Sequence, residues 1–139
     1  MIAYLDTSVL LRVVLGEPNA LAEWGRIRIA ITSELLRVEA LRVIDRSRIR
    51  LGLGDAEIAR RRADVLGVVA GLTLVPLDAS VLARAADPFP TLLRTLDALH
   101  LASALRARAL HPSMVLATHD LELGRAAAAV GFSVIGVTP

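Results

Sequence analysis

Cysteine and lysine are both missing from this chain of 139 residues, and each absence removes a class of chemistry. Without cysteine there is no disulfide bond and no thiolate-bound metal. All sixteen basic residues are arginines. A P-loop needs a lysine on its phosphates, and haloacid-dehalogenase-like phosphatases and receiver domains also use one. None of these three classes can operate here in its usual form.

Aromatic residues and long apolar runs are also scarce. Only 3% of the residues are aromatic although 55% are hydrophobic, so the core must consist of Leu, Val, Ile and Ala. No uninterrupted apolar run approaches the roughly 18 residues that a membrane span needs. The N-terminus enters a strand-like run with no basic region ahead of it, unlike a signal peptide. We therefore expect a cytoplasmic protein with no membrane segment.

The charge balance is nearly even, although the isoelectric point is near 10.3. The formal net charge is +2, and the very high pKa of arginine turns this small excess into a high isoelectric point. Eight arginines lie between Arg37 and Arg62. Part of this segment is interpreted as solvated surface, because Arg60, Arg61 and Arg62 cannot share one helix face. The alternative is an edge that contacts phosphates or an acidic partner.

Short apolar runs alternate with longer helical patterns, which predicts an α/β fold with a parallel sheet of four to five strands and helices on both faces. Strands are predicted at residues 2–5, 29–32, 72–75, 114–117 and 133–137. Helices are predicted at residues 9–15, 20–28, 34–49, 55–69, 79–87, 96–109 and 121–130. Candidate helix caps are Ser33, Asp55 and Thr95. Residues 1–139 are expected to form a single domain.

Four acidic residues stand in apolar surroundings. Asp6 ends the first strand and Asp120 follows the fourth, whereas Glu39 and Asp97 lie on apolar helix faces. A buried carboxylate is costly unless it is paired or binds a metal. In a parallel sheet, ligands bind beyond the carboxyl ends of the strands. We therefore predict that these four side chains belong to one site.

A cluster of four carboxylates needs bound cations or raised pKa values. Two like charges about 4 Å apart repel by about 4 kcal/mol at an effective dielectric constant near 20. Oxygen ligands favour hard ions such as Mg²⁺ or Mn²⁺, and such sites cleave phosphodiesters without lysine or cysteine. The sequence thus predicts a metal-dependent nuclease whose catalytic and metal-binding residues are Asp6, Glu39, Asp97 and Asp120.

Each acid also has a simpler explanation. Asp6 and Asp120 could cap the helices that follow them, and Asp97, in a first helical turn, could cap its own helix. Glu39 could pair with a neighbouring arginine at the edge of its apolar stripe. His100, three residues after Asp97, is expected to be a buried histidine with satisfied hydrogen bonds rather than a metal ligand.

The ordered set of motifs resembles the PIN domain. It runs from Leu5-Asp6-Thr7-Ser8, through Glu39 in a Leu-rich helix and Asp97-Ala98-Leu99-His100-Leu101-Ala102, to Thr118-His119-Asp120. In length and spacing the chain is similar to VapC-type toxins of bacterial toxin–antitoxin pairs. The resemblance implies a Mg²⁺- or Mn²⁺-dependent ribonuclease with the four acids as its site. It also implies that Ser8 and Thr118 supply hydroxyls near them.

The resemblance further implies a small antitoxin protein as a partner and a homodimer that pairs through its helices. The large apolar fraction is consistent with a homodimer, because a small domain cannot hide all of it. Two other hypotheses remain open. One is a non-catalytic PIN-like binding module, and the other is a DNA-directed metal nuclease that uses the same acids.

With so few aromatic residues there is no stacking platform that would select RNA bases.

Overall fold

Five parallel strands form one sheet in the computed structural model, which describes residues 1–137. Every pair of neighbouring strands is parallel, and the order is β3-β2-β1-β4-β5. The strands are β1 (Ile2–Leu5), β2 (Ile29–Ser33), β3 (Thr73–Val75), β4 (Val115–Ala117) and β5 (Val134–Ile135). The predicted α/β fold with a parallel sheet is confirmed.

Six α-helices lie within the same residues. They are α1 (Thr7–Val14), α2 (Leu35–Leu51), α3 (Asp55–Val69), α4 (Ala79–Ala86), α5 (Thr95–Arg108) and α6 (Leu121–Ala129). None of the helices in residues 1–137 has the length and apolar character needed to cross a bilayer.

Successive side chains of β1 enter cores on opposite faces of the sheet, as the pleat of a strand requires. Tyr4 packs with buried residues of α4, α5 and α6. Ala3 and Leu5 pack with Val9 of α1 on the other face. A further cluster joins α2 and α3 to α1 through Leu10. Helices therefore cover both faces, as predicted.

The strand order reverses beside β1, because β2 and β3 lie on one side of it and β4 and β5 on the other. Such a reversal opens a crevice at the carboxyl ends of the two central strands. The backbone N–H of Asp6 donates to the carbonyl of Ala117 across 3.0 Å, which joins β1 and β4 at that point. The fold thus places its crevice directly beside Asp6.

The predicted helix at residues 20–28 is wrong. Only Trp24–Arg26 forms a short 3₁₀ turn. Leu21 is buried, and Trp24 packs with the same core beneath the sheet. Gly25 follows Trp24 directly in the chain and has little helix propensity. The backbone conformation of residues 20–28 therefore follows from the packing of two large side chains, not from helical periodicity.

Several predicted boundaries also shift. Ser33 ends β2 instead of capping α2, although its Oγ accepts the N–H of Leu35 at 3.2 Å. Thr95 and Asp55 are the first residues of their helices, not the caps. The last strand ends at Ile135, short of the predicted 133–137, because Gly136 has a φ of 93° and leaves the extended region.

Candidate acidic site

The four predicted acids reach one edge of the sheet from four segments. Asp6 follows β1 and Asp120 follows β4, while Glu39 lies in the second turn of α2 and Asp97 in the first turn of α5. His100 lies within 4 Å of both Asp6 and Glu39. The predicted neighbourhood is therefore present, and the catalytic and metal-binding roles of its members stay predictions.

Asp6 is buried and held by hydroxyl groups. Its Oδ1 accepts the N–H of Thr7 at 2.7 Å. Its Oδ2 accepts the Ser8 hydroxyl at 2.5 Å and the Thr118 hydroxyl at 3.0 Å. Asp6 therefore caps α1, as its simpler explanation proposed, and also faces the crevice. Both predicted hydroxyl residues contact it directly.

Ser8 and Thr118 also join the two sides of the crevice. The Ser8 Oγ accepts the N–H of His119 at 3.0 Å, and the Thr118 Oγ1 accepts the N–H of Asp120 at 2.9 Å. Since each hydroxyl donates its proton to Asp6, its orientation is fixed at both ends. The loop that follows β4 is thereby held against the start of α1.

Glu39 is held by Thr7 and His100. Its Oε1 accepts the Thr7 hydroxyl and the Nε2–H of His100, each at 2.6 Å. The His100 ring is only 1% exposed, and its Nδ1 lies 3.0 Å from the Tyr4 hydroxyl. Because a carboxylate only accepts, the proton between Glu39 and His100 belongs to Nε2. His100 is thus buried with both ring nitrogens partnered, as the sequence suggested.

This pairing sets the ionisation of both groups. Burial alone would raise the pKa of Glu39, but the hydrogen bond and charge of His100, with the Thr7 hydroxyl, lower it overall. Burial alone would lower the pKa of His100, but the bond to Glu39 and the charges of Asp6, Glu39 and Asp97 raise it overall. Glu39 is accordingly kept ionised.

Asp97 has the opposite environment. Its Oδ2 is buried and has no hydrogen-bond partner among residues 1–137, and the whole side chain is 16% exposed. Burial raises the pKa of Asp97, and the charges of Asp120 and Asp6 raise it further. The helix cap is not made by Asp97, since no side chain caps α5. Its carboxylate is therefore available to a cation.

Arg94 places a cation between Asp97 and Asp120. Its Nε lies 3.7 Å from the Asp97 Oδ2, and its Nη2 lies 3.9 Å from the Asp120 Oδ2. Asp120 uses its other oxygen, Oδ1, to cap α6 by accepting the N–H groups of Glu122 and Leu123. The two oxygens that face Arg94 therefore border a position where positive charge is accommodated.

The donor set fits a hard divalent ion with few protein ligands. Within residues 1–137, no three His, Asp or Glu side chains are arranged to ligate one ion. Mg²⁺ commonly keeps several waters and binds through one or two carboxylates, and Asp97 with Asp120 offers that pair. Glu39 is turned towards His100, and Asp6 is engaged by hydroxyls, so these two lie around the pair as further negative charge.

Three contributors were missed by the sequence analysis, namely Tyr4, Thr7 and Arg94. Tyr4 reads as an ordinary core residue of β1. Thr7 stands between two residues already singled out, so its hydroxyl offered a weak signal. Arg94 lies three residues before Asp97, a spacing at which opposite charges meet on a helix. That spacing was the available signal for Arg94.

A shallow depression of about 640 Å³ adjoins the site beyond His119. Arg12 and the backbone of Gly136 contribute to its lining. The Nδ1–H of His119 donates to the Gly136 carbonyl at 3.1 Å, which fixes the ring at the border between the depression and Ser8. The four acids do not line this depression among residues 1–137, and His119 connects it to the acidic site through the hydrogen bond of its backbone N–H to Ser8.

Comparisons with known proteins give one consistent family. The PIN domain model matches residues 3–129. Ribonuclease VapC47 of Mycobacterium tuberculosis is 36% identical over 129 residues, which span 87% of this chain and 88% of that protein. Ribonuclease VapC35 of the same species is 36% identical over 137 residues, spanning 95% and 94%. The crystal structure of PAE2754 from Pyrobaculum aerophilum has the same fold, with a TM-score of 0.57, 19% identity, and coverage of 96% of this chain and 83% of that one.

Proposed function

From the premise that this chain belongs to the PIN-domain family, in its VapC group, we propose that it is a metal-dependent endoribonuclease that hydrolyses RNA phosphodiester bonds. The relatives that span nearly its whole length are named ribonucleases. The proposed active-site acids are Asp6, Glu39, Asp97 and Asp120. The protein would act in the cytoplasm, where RNA is abundant.

The observation that carries this proposal is the environment of Asp97. Within the part of the chain that the structure describes, its buried Oδ2 has no hydrogen-bond partner. Asp97 shares a nearby cation, Arg94, with Asp120. A buried, unpartnered carboxylate oxygen is costly unless a positive charge is bound there. Mg²⁺ or Mn²⁺ held by Asp97 and Asp120 would remove that cost and would suit the oxygen-only donors.

The chain and the ion would divide the chemistry between them. A bound divalent ion supplies Lewis acidity, which activates water and neutralises the charge that develops on the phosphate. Asp97 and Asp120 would hold it. Asp6 is fixed by Ser8 and Thr118, so its charge stays aimed at the crevice without rearrangement. Glu39, kept ionised by His100, would add negative charge near Asp6.

RNA would enter along the depression beside His119. Arg12 lines that depression and is anchored by a hydrogen bond from its Nη1 to the carbonyl of Asn19 at 3.3 Å. An arginine there would contact the phosphate backbone, which positions RNA without selecting its sequence.

An acidic antitoxin would bind elsewhere, on the arginine-rich helices. Several of these arginines pair with acids on their own helices, as Arg60 and Arg61 do with Glu57. Arg46 and Arg50 border a cavity of about 290 Å³, together with apolar side chains of α2 and with Leu15, which follows α1. An amphipathic helix with acidic flanks would fit such a groove.

The purified protein tests the proposed activity directly. RNA and DNA of matched sequence are incubated with Mg²⁺, with Mn²⁺ and with EDTA, using wild type and Asp97→Asn. Cleavage of RNA that needs metal and is lost in Asp97→Asn supports the proposal. Cleavage of DNA alone would identify a DNA-directed nuclease, and no cleavage of either would favour a non-catalytic binding module.

A further inference from the structure

Arg94 lies over the acidic site, on the segment that leads into α5. We propose that Arg94 is a built-in counter-cation, which spans Asp97 and Asp120 while no divalent ion is bound and contacts an RNA phosphate once that ion displaces it. This inference rests on the proposed function, because it assumes that a divalent ion and RNA share this site.

The contacts of Arg94 are suited to release. Its nitrogens lie 3.7 and 3.9 Å from the two carboxylate oxygens, which is too far for a hydrogen bond. The Arg94 side chain is 77% exposed, and exposed ion pairs contribute little to stability. A divalent ion with twice the charge and direct oxygen ligation would therefore displace the guanidinium at low cost.

The four acids divide into two pairs, and each pair has one basic side chain. His100 lies within 4 Å of Asp6 and Glu39 inside the core, where a hydrogen bond with the Tyr4 hydroxyl fixes its ring. Arg94 serves Asp97 and Asp120 from the surface. Only the second pair can exchange its cation without opening the core. The exposed pair is therefore where an incoming ion would enter.

After displacement, Arg94 would remain next to the reacting phosphate. Its backbone occupies the N-cap position of α5 with extended dihedral angles, so its Cα is fixed by the helix that carries Asp97. A guanidinium has a planar fork of donors that matches two phosphate oxygens, which an ammonium group does not. Phosphate binding should accordingly require arginine itself, whereas balancing the carboxylates should require only positive charge.

Mn²⁺ binding to the metal-free protein, followed by electron paramagnetic resonance, tests the first step. Arg94→Gln should bind Mn²⁺ about two- to fivefold more tightly than wild type. Arg94→Lys, which keeps the charge, should stay near wild type. Arg26→Gln is the matched control, because Arg26 is exposed at the opposite, amino edge of the sheet. Equal affinity of Arg94→Gln and wild type, or an equal gain in Arg26→Gln, would overturn the proposal.

Cleavage kinetics on a random-sequence RNA at saturating Mg²⁺ test the second step. Both Arg94→Gln and Arg94→Lys should raise KM about three- to tenfold, while Arg26→Gln leaves it unchanged. A KM in Arg94→Lys equal to that of wild type would refute the phosphate contact.

Failure of this inference is separable from failure of the proposed function. If wild type binds no Mn²⁺, or if Asp97→Asn binds it as tightly as wild type, the metal site itself is misassigned. If Asp97→Asn weakens Mn²⁺ binding but Arg94→Gln changes nothing, the site stands and the role of Arg94 is wrong.

Discussion

The Asp97 carboxylate destabilises the metal-free protein, because no donor among the described residues reaches its buried oxygen and two other acids lie nearby. Asp97→Asn removes the charge at nearly constant shape. We expect it to raise the free energy of unfolding in EDTA by roughly 0.5–1 kcal/mol and to lower RNA cleavage by about 100-fold or more. Chemical denaturation and a cleavage assay measure the two effects.

The exposed Asp87, at the end of α4, supplies the control for that substitution. Asp87→Asn should change stability by less than about 0.5 kcal/mol and leave cleavage intact. We expect Asp6→Asn, Glu39→Gln and Asp120→Asn to lose cleavage as Asp97→Asn does. Wild-type activity in both Asp6→Asn and Asp97→Asn would show that the active site lies elsewhere.

His100 makes stability depend on pH. Its pKa is raised in the folded protein by Glu39 and the neighbouring acids, which outweigh its burial. A raised pKa adds stability that is complete below the unfolded value of about 6.5 and is lost as the pH rises through the folded value. In EDTA, the stability difference between wild type and His100→Gln should therefore be largest near pH 6 and shrink at alkaline pH.

Urea denaturation across that pH range measures the difference. His111→Gln is the control, because His111 lies on the loop after α5, away from the carboxylates. A difference between wild type and His100→Gln that does not change with pH would exclude charged His100 as its source.

Two aspartates cap helices in the same way, and only one of them faces the crevice. Asp78 caps α4 and Asp120 caps α6, each through Oδ1 to the second and third following N–H groups. Replacing either by alanine should lower the free energy of unfolding by about 1 kcal/mol. Only Asp120→Ala should abolish RNA cleavage, which thermal denaturation and a cleavage assay would measure together.

Asparagine separates capping from catalysis at the same position. Asp120→Asn keeps an oxygen that can accept from the helix N-terminus, so α6 should retain most of its stability. Loss of cleavage in this stable variant would assign the catalytic need to the charge. Full activity would leave Asp120 as a cap only.

Replacing glycine by alanine should have opposite effects on stability at two positions, Gly67 and Gly136. Gly67 lies exposed within α3 with nothing within 4 Å of an added Cβ, so Gly67→Ala should stabilise the protein by about 0.5–1 kcal/mol. A Cβ on Gly136 would lie 2.4 Å from the Thr118 carbonyl at a φ of 93°. Gly136→Ala should cost about 1–3 kcal/mol and also lower activity, because Thr118 holds Asp6.

Differential scanning calorimetry of both variants checks the signs. Stabilisation by Gly136→Ala would mean that the turn after β5 relaxes freely, and the link from that turn to the active site would be absent.

The sequence pattern predicted whether a segment forms a strand or a helix wherever its burial and its hydrophobic periodicity agree. β1 and β2 are continuous apolar runs beside turn signals, and α5 is apolar on nearly every face, so their types were predictable. The segment around Trp24 was not, because its packing beneath the sheet overrides its pattern. Arg94 escaped notice for a related reason, since its contact with Asp120 depends on how α5 and β4 meet in space.

The grouping of the acids was predictable for a topological reason. Parallel strands deliver whatever follows them to one edge, so Asp6 and Asp120 had to converge. How each acid is held was not predictable, because it depends on contacts formed in the packed interior. Thr7 binds Glu39 directly, and Tyr4 binds His100, which in turn binds Glu39. Sequence therefore predicted that these acids lie together, and only the fold distinguishes the pair beside His100 from the pair beside Arg94.

For the whole molecule we expect a homodimer. Leu92, Ile49 and Leu110 are 97%, 88% and 81% exposed, and Leu96 and Leu121 add exposed apolar surface beside the acidic site. Pairing of two copies would cover part of this surface. Light scattering should return twice the chain mass of 14.8 kDa at micromolar concentration. A monomer across that range would contradict the expectation.

A second whole-molecule prediction concerns the antitoxin. Co-expression with the small reading frame next to this gene should yield a complex and relieve growth arrest caused by this chain. Substituting both Arg46 and Arg50 by Gln should weaken that complex about tenfold without changing cleavage by the free toxin. If the neighbouring protein neither co-purifies nor restores growth, the toxin–antitoxin assignment loses its basis.

The reversal of strand order beside β1 has a consequence during synthesis. Thr118, which fixes Asp6, lies 112 residues further along the chain. Domains begin to fold from their N-terminal part while translation continues, so β1 and β2 leave the ribosome long before β4. The acidic pocket stays open on one side until β4 arrives. If the four acids form the active site, that site would be incomplete in the nascent chain until β4 and the loop that follows it have been synthesised.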